Sequence, residues 1–181
     1  MYSSGTTGLP KGVMVTHTNV IFAMFNIYVK YLVYGAAPLC KDTEEMLRRR
    51  LKVNSIRQGY GLTEIGMLVL AVPVGSEKHG SVGKVVSYMS CKIRDPETGK
   101  SLGPNQNGEV CFKGSTVMKG YYGNEEATKN AFTSDGWLLT GDLAYYDEEE
   151  YFFIVGRSKD LIKYKGIQVS PEENLVEKFK N

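Results

Sequence analysis

The longest apolar run in the chain spans residues 20–33 and is broken only by polar residues such as Asn26 and Lys30. It is shorter than the ~20 residues a bilayer-spanning helix needs, so it predicts a buried helix and no integral membrane segment. Thr16 or Thr18 can cap that helix, and Tyr34-Gly35 ends it. Just upstream, residues 12–15 predict a short strand. Residues 41–52 read as a second helix, in which Glu44 and Arg48, and Glu45 and Arg49, sit four apart on a solvated face. A strand over 55–58 runs into Gly59. Beyond Gly80 the pattern becomes β-rich. Strands are predicted over 88–94 and 109–113, joined through the turn chemistry of Asp95-Pro96-Glu97-Thr98-Gly99. A short helix is expected over 124–132, then a hairpin of 143–146 with 151–155 around the acidic turn 147–150. Ser170, Pro171 and Glu173 mark a last helix start: a cap, a proline at the first helical position and a capping box. No internal repeat or low-complexity linker interrupts this order.

Composition adds exclusions. The chain has 181 residues, 42% hydrophobic and 23% charged, and a formal charge of +2. That length suits one domain, and the charge is too small to imply a nucleic-acid partner. Cys40, Cys91 and Cys111 have no CxxC spacing and leave an odd thiol, which reads as plain thiols in a reducing compartment. His17 and His79 lie far apart, so a histidine metal site or a Ser-His-Asp triad has little support. The first residues lack the charged start and apolar stretch of a secretory signal. The ending Phe179-Lys180-Asn181 matches no peroxisomal address. The expectation is an intracellular protein, peroxisomal or cytoplasmic, with its oligomeric state open.

The candidate chemistry begins in Ser3-Ser4-Gly5-Thr6-Thr7-Gly8-Leu9-Pro10-Lys11-Gly12. Glycines let a backbone approach an anion closely, hydroxyls add donors, and Lys11 brings positive charge to a polyphosphate. Pro10 before the lysine and Gly12 after it rule out a Walker loop.

This string resembles the signature loop of the AMP-binding synthetases, which include acyl-CoA ligases, 4-coumarate-CoA ligases and the beetle luciferases. Four more segments agree in order: Gly35-Ala36-Ala37-Pro38-Leu39, with Ala36 where the family usually has glycine; Gln58-Gly59-Tyr60-Gly61-Leu62-Thr63-Glu64; Gly136-Trp137-Leu138-Leu139-Thr140-Gly141-Asp142; and the segment from Gly156-Arg157 to Gly166. The resemblance leans to the coumarate ligase and luciferase-like branch. It implies an α/β fold: part of the large domain of an adenylate-forming enzyme over 1–156, with sheet-and-helix layers and a β-rich, barrel-like subdomain from about 85, then a hinge and the start of a small domain over 157–181.

It also implies the roles. Ser3, Ser4, Gly5, Thr6, Thr7, Gly8 and Lys11 meet phosphate. Gly35, Ala36, Ala37 and Pro38, with Gln58, Gly59, Tyr60 and Gly61, surround the adenine side, Tyr60 stacking on the ring. Thr63 and Glu64 sit by the α-phosphate and hold Mg²⁺. Asp142 accepts both ribose hydroxyls, Arg157 reaches ribose or phosphate, Lys159 is the hinge, and Lys163 acts mainly in the second half-reaction. The implied reaction is attack of a carboxylate on the α-phosphorus of ATP, loss of pyrophosphate, and transfer of the acyl group from acyl-AMP to coenzyme A, or attack by oxygen in the luciferase manner. Only 23 residues separate Lys11 from Gly35, against several times as many in the family. This implies an internal deletion near 20–33 that removes acyl-pocket elements; the family's C-terminal lysine also has no counterpart. Weak ATP binding, little adenylation and exposed apolar faces are therefore expected. An inactive remnant and a nucleotide-binding module remain as the other readings, and the acid itself is not legible.

Overall fold

The computed structural model describes residues 2–3, 11–16, 18–19, 32–34, 46, 49–50, 56–66, 68–73, 75–76, 78, 80–158, 162–164 and 167–169. The strands in chain order are β1 (Tyr2–Ser3), β2 (Lys11–Met14), β3 (Leu32–Tyr34), β4 (Ile56–Tyr60), β5 (Leu70–Ala71), β6 (Lys84–Val85), β7 (Met89–Arg94), β8 (Gly108–Gly114), β9 (Gly120–Tyr121), β10 (Leu138–Tyr146), β11 (Phe152–Arg157), β12 (Ile162–Tyr164) and β13 (Ile167–Val169). They form four sheets, ordered β1-β2-β9, β3-β4-β5-β6, β11-β10-β8-β7 and β12-β13. The pair β3–β4 is parallel and the other paired strands are antiparallel.

The β11-β10-β8-β7 sheet holds much of the core. In β8, Val110, Cys111 and Phe112 are all fully buried, so this central strand is covered on both faces. Ile93 of β7, Leu138 and Ala144 of β10 and Phe152 of β11 pack with Val110 and Phe112, and Ile65, Val69 and Leu70 extend the cluster to the neighbouring sheet. Each of the Val, Leu, Ile and Phe side chains contributes ~1.5–3 kcal/mol by leaving water. The two sheets are strapped where Gly83 bridges Phe152: Val82 N–H donates to the Phe152 carbonyl at 2.9 Å, and Phe152 N–H returns a bond to Gly83 at 2.9 Å. Gly83 has φ +94°, and a Cβ there would overlap the Ala71 carbonyl and the Val72 amide.

The short helix Glu125–Asn130 forms where the pattern places it. Asn124 Oδ1 accepts from Ala127 N–H at 2.9 Å, and Glu125 and Glu126 sit in the first turn, where the helix dipole favours negative charge. Thr128 Oγ1 then accepts from Tyr121 N–H at 2.8 Å, tying this helix to β9. Thr16 is the cap of the segment at Thr18: its Oγ1 accepts from Asn19 N–H at 3.1 Å, while Asn19 Oδ1 accepts from Thr16 N–H at 2.8 Å.

Three expectations change. Residues 32–34 are a strand pairing with Ile56, Arg57 and Gln58, not the tail of a helix, so the backbone is extended before Gly35. β10 starts at Leu138 rather than 143, and β11 runs on to Arg157. The early part of β10 was hidden because its alternation is broken by Gly141, at φ +73°. Strand β2 begins at Lys11 and ends at Met14. Of the helix expected over 41–52, Met46, Arg49 and Arg50 are described and are helical. The apolar stretch before residue 32 and the helix start at Ser170 lie outside the described residues. No described helix is long and apolar enough to cross a membrane.

Candidate functional site

The site is built around the end of β4. Tyr60 is the last residue of this strand, and its ring stacks on Phe112 with centroids 6.0 Å apart and 23° between planes. Its hydroxyl donates to Asp142 Oδ2 at 2.6 Å. Asp142 is 5% exposed, and its other oxygen, Oδ1, accepts from Arg157 Nε at 3.1 Å. Asp142 and Arg157 are register partners on β10 and β11, which sets their side chains on one face. Burial, then the charge of Asp142, pushes the Tyr60 phenol well up, so it stays a neutral donor.

After β4 the chain turns into a single 3₁₀ turn, Thr63–Ile65, anchored by fully buried Ile65 and closed by Gly66 at φ +73°. The Glu64 carbonyl accepts from Met118 N–H at 2.7 Å. Its carboxylate Oε1 accepts from Tyr121 Oη at 3.0 Å. Burial, then Glu64, raises the Tyr121 phenol too. Tyr121 lies on β9, paired with β2, and Lys11 Nζ stands 5.1 Å over its ring centroid.

Lys11, Glu64, Tyr60, Asp142 and Arg157 are thus linked through neighbours in one region of the molecule. Thr63 is half-buried within the 3₁₀ turn. Gly61 leads into it. Gly59 lets β5 close on β4, since a Cβ there would strike the Leu68 side chain and come within 3.2 Å of the Leu70 carbonyl. The Gln58 carbonyl accepts from Val72 N–H at 3.3 Å. Ser3 is the register partner of Lys11, so the pairing of β1 with β2 brings these two positions of the sequence together. Lys163 lies on β12 opposite Gln168 and is placed by that pairing alone. Ser4, Gly5, Thr6, Thr7, Gly8, Gly35, Ala36, Ala37, Pro38 and Lys159 lie outside the described residues.

Tyr121 was not among the residues singled out by sequence. It is one of 12 tyrosines; the pairing of β9 with β2 brings it to Lys11, and the Met118–Glu64 bond brings its segment to Glu64.

The donor set suits a magnesium nucleotide. Among the described residues no three His, Cys, Asp or Glu side chains cluster as a metal cage. Mg²⁺ is commonly held by one or two carboxylates together with substrate phosphates, and Glu64 offers such a carboxylate. Asp142 is an acceptor-only group whose two oxygens take separate donors, Tyr60 Oη and Arg157 Nε.

The family model described as AMP-binding enzyme matches residues 1–31 and 27–122. The chain belongs to this family. It is 53% identical over 146 residues to luciferin 4-monooxygenase of Photuris pensylvanica, covering 81% of this chain and 27% of that protein. It is 43% identical over 165 residues to a probable 4-coumarate–CoA ligase of Dictyostelium discoideum, covering 91% of this chain and 30% of that one. Among solved structures, ATP-bound MatB from Rhodopseudomonas palustris superposes with a TM-score of 0.74 at 36% identity, over 80% of this chain and 28% of that chain. O-succinylbenzoate coenzyme A synthetase from Bacillus subtilis, in complex with ATP and magnesium, shares the fold at a TM-score of 0.83 and 24% identity, over 99% of this chain and 54% of that chain. The fold is the α/β architecture of adenylate-forming enzymes. The chain spans about 30% of the length of the curated relatives it matches.

Proposed function

We propose that this chain binds Mg·ATP and takes part in activating a carboxylic acid as its acyl-AMP, with coenzyme A as the acyl acceptor. In this reading Lys11 and the loop 3–8 meet the triphosphate, and Thr63 and Glu64 face the α-phosphate. Tyr60 lies against adenine beside the segment 35–38, Asp142 holds the ribose, and Arg157 reaches ribose or phosphate. Lys159 is the hinge between a large-domain part, 1–156, and a following part, 157–181, and Lys163 serves the thiol-transfer step. Mg²⁺, when bound, neutralises charge on phosphate oxygens. The protein's share is to align carboxylate and α-phosphorus and to stabilise the charge that develops there.

The observation that carries this reading is the convergence on residues 60–64. Lys11 reaches Glu64 through Tyr121, and Arg157 reaches Tyr60 through Asp142. A triphosphate at the Lys11 end and a sugar at the Asp142 end therefore fit one ligand. Turnover is expected to be slow. The two family-model matches meet at residues 27–31, and 23 residues lie between Lys11 and Gly35; both support a missing stretch next to the acyl pocket. ATP binding followed by calorimetry, and exchange of labelled pyrophosphate into ATP with a panel of fatty and aryl acids, test the proposal. The expected result is weak but measurable ATP binding that is lost in Lys11→Ala and in Asp142→Ala, with slow exchange. A wild-type chain that binds no ATP would overturn the binding assignment, and brisk exchange would overturn the slow turnover.

A further inference from the structure

Asp142 is aimed by an irregularity in β10. Leu139 pairs with Cys111 and Leu143 with Glu109, so Thr140, Gly141 and Asp142 together span a single β8 residue, Val110. Such a bulge removes backbone groups from the ladder and turns a side chain to a new direction. Here the Gly141 and Asp142 amides and the Gly141 carbonyl have specific partners. Thr140 Oγ1 donates to the Val110 carbonyl at 2.7 Å and accepts from Asp142 N–H at 3.1 Å. The Gly141 carbonyl accepts from Ser158 N–H at 2.9 Å. Gly141 N–H donates at 3.0 Å to Oε1 of Glu109, a side chain 12% exposed and 32 residues away in sequence. The other oxygen of Glu109 accepts from Arg94 Nη1 at 3.3 Å, which fixes the carboxylate plane.

We infer that Glu109 is a positioning residue: by holding the Gly141 amide it sets the direction of Asp142, and through it the preference of the site for ribonucleotides over 2′-deoxyribonucleotides. This rests on the proposed role of Asp142 at the ribose. Glu109 does not touch the nucleotide. Its effect is on the peptide next to Asp142, where a left-handed glycine can otherwise swing by rotating two dihedrals. A carboxylate acceptor holds an amide about twice as strongly as a neutral one, so Glu109→Gln weakens the grip and Glu109→Ala releases it.

The experiment measures dissociation constants of the full chain for ATP and 2′-deoxy-ATP, with thermal melts of each variant alongside. The wild type is expected to prefer ATP by ~10–100-fold, the value of one hydrogen bond to a charged group. Glu109→Ala is expected to weaken ATP much more than 2′-deoxy-ATP, bringing the ratio to within about threefold of unity; Glu109→Gln should fall between. A folded Glu109→Ala with the wild-type ratio overturns the inference but leaves the Asp142 assignment standing. If Glu109→Ala does not fold, an unchanged ratio in Glu109→Gln overturns it instead. A wild type that binds both nucleotides equally overturns the ribose assignment, and this inference with it.

Discussion

Tyr60→Phe tests the centre of the site with the smallest perturbation available. It deletes one oxygen and keeps the ring against Phe112, so no cavity opens. What is lost is the 2.6 Å bond to Asp142, whose side chain is 7% exposed. A hydrogen bond to a charged group contributes ~1.5–3 kcal/mol, and short O–H···O⁻ geometry in a buried setting belongs to that class. For a chain of this size, 1 kcal/mol shifts the melting temperature by ~2–4 °C, so Tyr60→Phe should melt about 3–12 °C lower. Tyr122→Phe, at an 80% exposed position, is the control and should stay within about 1 °C. The shift has a pH signature. The Tyr60 phenol is raised in the folded state, so above pH ~10 the unfolded chain releases a proton that the folded chain keeps. Stability therefore falls as pH rises through that range, and Tyr60→Phe should fall less steeply. Circular dichroism melts from pH 7 to 10.5 measure both effects. A Tyr60→Phe melt within 1 °C of wild type, with the same alkaline slope, would refute the reasoning.

Three more outcomes follow from the geometry. Gly83→Ala forces a Cβ into the Ala71–Val72 backbone at a positive φ, and should lower stability by ~4 kcal/mol or more, seen as loss of soluble folded protein. Burial alone would raise Asp147, but the Lys78 ammonium 2.5 Å away and the Tyr151 and Glu149 amides reverse this and lower it. Its stabilisation is therefore present above its unfolded value of ~3.9 and lost as pH falls through the lower folded value, so the melting difference between wild type and Asp147→Asn should shrink from pH 5 to pH 3. Tyr121→Phe keeps the ring beneath Lys11 but removes the bond to Glu64, so the Mg²⁺ concentration needed for half-maximal ATP binding should rise several-fold, while nucleotide affinity in EDTA stays within twofold.

The helix at Glu125–Asn130 and the strands β7 and β8 were legible because local signals agree with the tertiary setting: an asparagine cap, acidic first-turn residues, and runs bounded by turn chemistry. The early part of β10 was not, because its bulge over Val110 destroys the alternation that marks a strand. Residues 32–34 were read as helical from an apolar run; their strand state comes from pairing with Ile56 to Gln58, which no local pattern encodes. In the site, Lys11, Tyr60, Glu64, Asp142 and Arg157 stood out as parts of ordered motifs. Tyr121 and Glu109 did not, because each acts on a residue far away in the chain, 57 positions in one case and 32 in the other.

That separation has a consequence for the life of the molecule. The hydrogen bonds Tyr60–Asp142 and Glu64–Tyr121 close loops of 82 and 57 residues, so the candidate site is a seam where remote stretches are sewn together. A ligand gripped from both ends works as a removable stitch: present at a hundred times its dissociation constant, it adds ~2.7 kcal/mol against unfolding. If that ligand is ATP, as proposed, resistance of the purified chain to proteases rises with ATP concentration.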